Sequence, residues 1–397
     1  MELYEKEMSL WFNDFVLDNG EIIFSSGSVN GLFRADIYTG KAKLIGRFPG
    51  EDMFGKHLYY NSHRYKDHIL FVPAWARRFA LYNMKDNSFH MFLPEEIGDM
   101  KHFKYLASVL ADKYVYVFGD KISSIIRIDM ETLEVIYYSG WLEKLYQFGN
   151  NEENAFFFKD VCVVGKSLFL VTGKNNSIVE LNMNEDKIYI HPVGKKESVY
   201  NTIVFDGTSL WLTEQTKGFL KVNMKNWEYQ YWKIEDPIQT DCFVSSLMIN
   251  NEVWLFSNYN EALYVINCKD SSIERWTVQF DKPDVWHPGN NKFGYRYGYR
   301  FAKQLQNELA VFCAQDCQLH FLKHNEDIRR VKFFTSDLVA DVCEKNFCKM
   351  KNARTIYESN IKFYQLEDFL LFLRNVEEES GEYERQDCGK TIYSCIR

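Results

Sequence analysis

Residues 200–232 contain four short runs in succession: Tyr200-Asn201-Thr202-Ile203-Val204-Phe205, Ser209-Leu210-Trp211-Leu212-Thr213-Glu214, a run around Leu220 that ends at Asn223, and Tyr229-Gln230-Tyr231-Trp232. Aromatic and β-branched side chains are frequent in them, and polar residues alternate with apolar ones, which is typical of β-strands. The side chain of Asn223 can bond its own backbone and start a turn. The stretch therefore predicts one unit of four antiparallel strands.

The same unit recurs along the chain. Its second run is recognisable eight times, and the corresponding residues are separated by about 42 to 60 positions: Ile22, Ile69, Val115, Leu168, Leu210, Val253, Leu309 and Phe369. An apolar residue follows ten positions after each of the first seven of these anchors. This spacing is within reach of the period of a four-stranded propeller blade.

A single blade cannot bury both of its faces, so neighbouring blades must stack in a ring. We therefore predict one all-β domain over residues 1–397, a β-propeller of eight four-stranded blades, with seven blades as the alternative. The last unit, at 361–396, lacks an outermost strand, and Leu3-Tyr4 could supply it, so that strands from both termini share a blade. Long insertions are expected at about 139–154, 280–291 and 335–360, and long loops on a rigid ring often carry recognition.

Composition narrows the classes of function. The chain has 397 residues, a net charge of −8 and a pI near 5.7, so it repels phosphate backbones and anionic membrane surfaces. The N-terminal segment Met1–Glu7 is charged, and no apolar run approaches the roughly 18 residues that a membrane helix needs. Nine cysteines form an odd set within strand-like runs. We expect a cytoplasmic protein that binds neither nucleic acid nor membranes; its oligomeric state stays open.

The run Ser209-Leu210-Trp211-Leu212-Thr213-Glu214 resembles the Leu-Trp-Phe-Thr-Glu blade motif of streptogramin lyases, and the blade rhythm is similar to that of kelch and quinoprotein-like propellers. The diglycine of kelch blades is absent. The lyase resemblance implies that Glu214 is a metal-linked carboxylate and that a His serves as base where this chain has Tyr200. An unperturbed Tyr titrates near pH ~10, which argues against that activity.

In propellers, one face of the ring collects the loops between second and third strands and those between blades, and that face is the default site. Arginine forks and aromatic rings there can hold an anionic or sugar ligand. The competing interpretation concerns the stretch 293–300, which contains three tyrosines and two arginines. In it, the tyrosines pack between blades and the arginines form structural ion pairs. The ligand-binding candidates are His57, Arg64, Trp75, Arg77, Tyr259 and Arg296, and the catalytic candidates are Glu214 and His57.

A metal site is suggested by the spacing of Cys313, Cys317, His320 and His324, whose donors suit zinc. Strand alternation, however, places Cys317 and His320 on opposite faces. We therefore predict no metal ligands and no cofactor, while a divalent metal stays open.

Phosphate-binding loops, nucleophile elbows and zinc-protease helices are absent from the sequence. The sequence favours a non-catalytic binding or scaffolding propeller that recognises a protein, peptide or glycan through the loops of one face. The alternative is a lyase or hydrolase with a carboxylate and a His at the mouth of the central channel. A metal there, or a deep polar pocket with paired titratable groups, would favour the enzyme.

Overall fold

The computed structural model describes residues 7–53, 55–93, 104–120, 124–139, 160–173, 175–214, 218–234, 243–257, 262–281, 298–305, 308–313, 316–323 and 326–337. These residues form 29 β-strands and no helix. Within them, accordingly, no helical segment has the length and apolarity to cross a membrane.

The strands form seven antiparallel sheets: six have four strands in sequence order, and the seventh has four strands in sequence order and a fifth from near the N-terminus. Blade one has β2 (Val16–Asp18), β3 (Glu21–Ser25), β4 (Leu32–Asp36) and β5 (Ala42–Gly46), and blade two has β6 (Tyr59–Tyr65), β7 (His68–Pro73), β8 (Phe79–Asn83) and β9 (Ser88–Phe92). Blade three has β10 (Lys104–Ala111), β11 (Tyr114–Asp120), β12 (Ile125–Asp129) and β13 (Val135–Tyr138), and blade four has β14 (Asp160–Val164), β15 (Ser167–Val171), β16 (Ser177–Asn182) and β17 (Lys187–Pro192).

The remaining blades continue the pattern. Blade five has β18 (Tyr200–Phe205), β19 (Ser209–Glu214), β20 (Gly218–Asn223) and β21 (Tyr229–Lys233), and blade six has β22 (Phe243–Ile249), β23 (Glu252–Ser257), β24 (Ala262–Asn267) and β25 (Ile273–Thr277). Blade seven has β26 (Tyr299–Leu305), β27 (Glu308–Cys313), β28 (Gln318–Lys323) and β29 (Glu326–Thr335), and β1 (Met8–Leu10) adds a fifth strand beside β29.

Burial changes from strand to strand within a blade. The second strands, such as β7, β19 and β27, are buried along almost their whole length, whereas the fourth strands β9, β17, β21 and β25 are half-buried or exposed. Since a strand covered on both faces needs an apolar side chain at every position, the second strands are the continuous apolar runs of the sequence. The first strands of successive blades contact each other, so they lie nearest the axis of the ring.

A separate hydrophobic cluster fills the joint between each pair of consecutive blades, beginning with blades one and two and ending with blades six and seven. In the joint between blades five and six, Trp211 is 2% exposed, and its ring lies 5.8 Å from that of Phe219 and 5.9 Å from that of Trp232. Burial of aromatic surface between blades therefore stabilises the ring, as expected for large apolar side chains.

The ring closes between blades seven and one. The ring of Phe12, which lies between β1 and β2, is 4.3 Å from that of Phe24 in blade one and 4.9 Å from that of Phe312 in blade seven. Lys303 of β26 donates a hydrogen bond to the Asp14 carboxylate at 2.9 Å. These contacts make residues Ser9–Phe334 one compact unit, a closed propeller.

The predicted all-β propeller of four-stranded blades is confirmed, and the described residues form seven blades, the alternative, rather than eight. The physical reason is that blade seven already packs against blade one. The N-terminal strand Met8–Leu10 joins blade seven. Leu3-Tyr4 and the run at 361–396 lie outside the described residues, as do most of the insertions at 139–154, 280–291 and 335–360.

Candidate functional site

The register of the blades defines an upper face of the ring. Tyr200, the first residue of β18, pairs with Glu214, the last residue of β19, and Tyr59 likewise pairs with Pro73 in blade two. The linkers that enter a blade and the hairpins between its second and third strands therefore meet at one end. We call this end the upper face.

A cavity of about 330 Å³ opens on the upper face where blade four leads into blade five. Four parts of the chain build it: the linker between β17 and β18, the end of β19, the strand β20, and the outermost strand β21. Its lining residues are Gly194, Lys195, Glu197, Ser198, Val199, Glu214, Leu220, Tyr229 and Tyr231.

Glu214 supplies a carboxylate to this cavity. Its Oε1 accepts a hydrogen bond from the Ser198 hydroxyl at 2.6 Å, and the Tyr231 hydroxyl also bonds the carboxylate. Burial, together with the nearby Glu214 charge, raises the pKa of Tyr231, so this phenol stays protonated and acts as a donor. A carboxylate has about four lone-pair sites, so Glu214 can accept further donors from a ligand.

Tyr229 and Tyr231 form an aromatic wall. Both are 44% exposed, and because they are two residues apart in β21 they lie on the same face of the strand. A Cβ added to Gly218 would lie 2.4 Å from the Tyr231 hydroxyl oxygen and 2.6 Å from its ring carbons. The absence of a side chain at Gly218 therefore lets the Tyr231 ring lie close to β20.

The floor of the cavity depends on Gly194 and Tyr200. Gly194 has a φ of +75°, a conformation that favours glycine, and a Cβ there would lie 2.2 Å from the Tyr200 hydroxyl oxygen. That hydroxyl donates to the Val193 carbonyl at 2.7 Å. Burial raises the pKa of Tyr200 well above its usual range. Tyr200 is therefore a neutral structural donor, and it does not have the properties of a base.

His57, Trp75 and Arg77 lie on the upper face of blade two. The Trp75 backbone N–H donates to the His57 carbonyl at 3.2 Å, the His57 ring packs against Trp11 with 4.2 Å between centroids, and Trp75 is 58% exposed. The backbone N–H of Arg77 donates to Glu51 at 2.9 Å. These three candidates are thus neighbours, in a blade different from that of Glu214.

Arg64 lies at the opposite end of β6 from His57. Its guanidinium donates to the Leu17 carbonyl at 3.1 Å and to the Asp18 carboxylate at 3.0 Å, in blade one. A strand of seven residues spans roughly 20 Å, so Arg64 and His57 do not share a ligand. Tyr259 and Arg296 lie outside the described residues.

A second group of donors is buried in blade seven. One donor atom each from Cys313, Asp316 and His320 lies within 4.8 Å of the other two. All three residues are buried, and Cys317, which is also buried, is not part of this trio. His324 lies outside the described residues.

Several cavity residues were not singled out in the sequence, notably Ser198, Tyr229 and Tyr231. The alternation in Tyr229-Gln230-Tyr231 did place two tyrosines on one face of an outermost strand, where packing demands are low. Their meeting with Ser198 depends on the path of the linker between blades four and five, which strand periodicity does not encode.

Comparison with protein families gives no matching family model, and no curated protein matches. Solved structures do match. The extracellular domain of a B. thetaiotaomicron protein provisionally classed as a hybrid two component system has a TM-score of 0.56 at 10% identity, over 81% of this chain and 39% of that chain. U3-55K has a TM-score of 0.55 at 8% identity, over 78% of this chain and 90% of that chain.

BamB from Moraxella catarrhalis has a TM-score of 0.50 at 9% identity, over 76% of this chain and 80% of that chain. The match to the B. thetaiotaomicron domain covers 39% of that chain, so the present chain spans less than half of its length. At such low identities these likenesses show the propeller fold alone, and a propeller hosts many functions.

Proposed function

We propose that this protein is a non-catalytic binding propeller and that its upper-face cavity takes a basic side chain, lysine or arginine, from a protein or peptide partner. The observation that carries the proposal is the position of the Glu214 carboxylate beside the Tyr229 and Tyr231 rings in one cavity. A cation gains from a carboxylate and from an aromatic face at the same time.

Charge supports a cationic ligand. Of the charged residues that line the cavity, two are acidic, Glu197 and Glu214, and one is basic, Lys195. The whole chain has a net charge of −8, which favours the approach of a basic partner over an acidic one. A charge-assisted hydrogen bond to Glu214 is worth about 1.5–3 kcal/mol, and each cation–π contact adds about 0.5–2 kcal/mol.

Proton-transfer chemistry finds less support at this cavity. A lyase or hydrolase needs a base and an acid whose pKa values suit neutral pH. No histidine is among the lining residues of the cavity, and the nearby Tyr200 phenol is neutral and committed to the Val193 carbonyl. A binding role uses the same carboxylate and rings without such a pair.

A glycan is the competing ligand, since carboxylates and tyrosine rings also bind sugar hydroxyls and sugar faces. The two ligands differ in their response to salt, because a buried or partly buried ion pair is weakened by salt more than a neutral hydrogen bond is. We place this binding in the cytoplasm as part of the proposal. The described cysteines Cys162, Cys268, Cys313 and Cys317 form no disulfide bond, which supports a reducing compartment.

The test selects peptides from a displayed random library with the purified full chain. Synthetic copies of the selected peptides are then compared with copies that carry norleucine in place of each Lys or Arg. We expect the replacement, and the Glu214→Gln variant of the protein, each to weaken binding roughly tenfold or more, the loss expected for one charged hydrogen bond.

The control is Glu185→Gln. Glu185 accepts a hydrogen bond from the Tyr189 hydroxyl at 3.2 Å on blade four, so it is a Glu–Tyr pair like Glu214–Tyr231 but lies outside the cavity. This variant should bind as the wild type does. Selected peptides without a basic residue, or equal binding to Glu214→Gln, would refute the proposal, and a glycan array whose signal depends on Glu214 would replace it with sugar recognition.

A further inference from the structure

Blade seven contains a sealed cluster of metal-type donors. Cys313 is the last residue of β27, His320 lies in β28, and Asp316 lies in the hairpin between them. Val311 pairs directly with His320 across the two strands, and Cys313 is two residues beyond Val311. Cross-strand partners and residues two apart share a face, so the register brings the Cys313 thiol and the His320 ring to one side of the sheet.

We propose that Cys313, Asp316 and His320 bind one divalent transition-metal ion of the zinc type. A thiolate, an imidazole and a carboxylate are the three ligand types that zinc takes from proteins, and three protein ligands leave a fourth position for water. This site is separate from the upper-face cavity of blade five and does not depend on the function proposed for it.

Geometry supports the proposal. The donor atoms of the trio lie within 4.8 Å of one another. Around a tetrahedral zinc ion, with bonds of roughly 2.0–2.3 Å, ligand atoms are roughly 3.5 Å apart. Side-chain shifts below about 1 Å would therefore close the trio around an ion, without a change of the backbone register.

The surroundings of His320 orient its ring for metal binding. Nδ1 is 2.9 Å from the Asp327 carboxylate, and Arg330 Nε donates to the same carboxylate oxygen at 2.6 Å. The other ring nitrogen, Nε2, faces Asp316 at 2.8 Å. A carboxylate that fixes the proton on one ring nitrogen and leaves the other free for an ion is the usual second partner of a histidine ligand.

The total charge of the cluster stays the same when a divalent ion replaces the protons of the thiol and the imidazole. A neutral thiol and a protonated imidazole carry one positive charge in total, and a thiolate, a neutral imidazole and a divalent ion carry the same total. The ion can thus replace two protons without leaving an uncompensated charge in this buried cluster, where such a charge would be strongly destabilising. His320 and Cys313 are both 0% exposed, so an ion bound between them would be enclosed by the protein.

The decisive experiment measures metal in the full chain, purified without a metal-binding tag and dialysed against metal-free buffer. We expect about one zinc per chain by elemental mass spectrometry, and at least a tenfold loss in Cys313→Ser. Cys268→Ser is the matched control, because Cys268 is a free thiol in blade six outside the trio, and it should keep the metal. Asp327→Asn should weaken zinc binding roughly tenfold to a hundredfold, the cost of losing the carboxylate that orients the His320 ring.

Cobalt titration keeps the test valid if Cys313→Ser folds poorly. Wild-type protein freed of metal and still folded by circular dichroism should take up one Co²⁺ and develop the absorption of a thiolate-bound, four-coordinate ion. Folded wild-type protein that holds no zinc and gives no such spectrum would overturn the proposal. So would a Cys313→Ser protein with unchanged zinc content or an unchanged cobalt spectrum.

Discussion

Blades five and seven use the same position of the blade in opposite ways. Glu214 ends β19 and pairs with Tyr200, and Cys313 ends β27 and pairs with Tyr299. In blade five this position opens into a cavity with exposed tyrosines, whereas in blade seven it belongs to a sealed cluster. A common backbone frame therefore supports either a solvent-accessible binding site or a buried polar site, depending on what covers the end of the strand.

The residues that cover the end of the second strand differ between the two blades, because their linkers and outermost strands differ. In blade seven the linker before β26 brings Phe280, whose ring lies 5.3 Å from that of Tyr299 and 5.9 Å from that of His320. In blade five the linker before β18 brings Gly194, which adds no side chain over Tyr200. Where a large aromatic ring covers the strand end, the buried polar groups must form hydrogen bonds with each other. Where a glycine lies there instead, room is left for a ligand.

The largest effect should come from breaking the buried cluster with Asp316→Asn. The Asp316 carboxylate accepts hydrogen bonds from His320 Nε2 at 2.8 Å and from the backbone N–H groups of Asp281 and Gln318. Removal of one partner from a buried charged pair costs about 3–5 kcal/mol. We expect the free energy of unfolding, measured by urea denaturation, to fall by that order.

Glu214→Gln is the matched change in blade five, where the carboxylate is partly exposed and the amide oxygen can still accept the Ser198 hydroxyl. Its cost should be below about 1 kcal/mol, as for other solvent-accessible pairs. Equal losses for Asp316→Asn and Glu214→Gln would show that burial does not distinguish the two positions.

A smaller but still clear effect is expected for Gly194→Ala. The new Cβ would lie 2.2 Å from the buried Tyr200 hydroxyl oxygen, at a residue whose φ is +75°. Left-handed strain costs an alanine about 1–2 kcal/mol, and the displaced Tyr200 hydroxyl would lose its bond to the Val193 carbonyl, worth about 1 kcal/mol more. We expect a loss of about 2–3 kcal/mol by urea denaturation, together with weaker peptide binding.

Gly207→Ala controls for backbone strain alone. Gly207 has a φ of +98°, and a Cβ there would meet nothing within 4 Å. This variant should lose about 1–2 kcal/mol and keep full peptide binding. If Gly194→Ala behaved in the same way as Gly207→Ala, the packing of Tyr200 under the cavity would contribute neither to stability nor to peptide binding.

Sequence periodicity predicted the blades well because a strand buried on both faces must be apolar throughout. The anchors from Ile22 to Leu309 all lie in second strands of blades. Periodicity does not count the blades, since closure depends on long-range contacts such as that between Asp14 and Lys303. The preference for eight blades over seven followed from the run near Phe369, which lies outside the described residues.

The sites were predicted less completely than the strands. Glu214 was singled out by a motif resemblance and does line a cavity, but the linker that carries Ser198 could not be placed from the sequence. For the cysteine and histidine spacing, alternation separated Cys317 from His320, and the cross-strand register that joins His320 to the face of Cys313 was missed. Contacts between strands require a register, and one strand's periodicity does not supply it.

The first strands of blades five and seven are also joined to their neighbours by different contacts. Asp160, at the start of β14, accepts the backbone N–H of Ile203 in β18 at 3.0 Å, so a carboxyl group joins blade four to blade five. In blade seven, Lys303 of β26 donates instead to the Asp14 carboxylate at 2.9 Å. Burial raises the pKa of Asp160 to about 7, which makes the first of these joints sensitive to pH near neutrality.

The smallest expected effect is therefore a pH dependence on the blade-five side. A carboxyl whose pKa is higher in the folded state than in the unfolded state binds its proton more tightly when folded, so its stabilising contribution is complete below about pH 4 and is lost as pH rises through about 7. Between those values the melting temperature of Asp160→Asn should rise relative to that of the wild type as pH increases. Asp14→Asn, which removes the Lys303 partner, should stay below the wild type at both pH values. A constant difference between Asp160→Asn and the wild type would contradict the raised pKa and would leave both joints equally insensitive to pH.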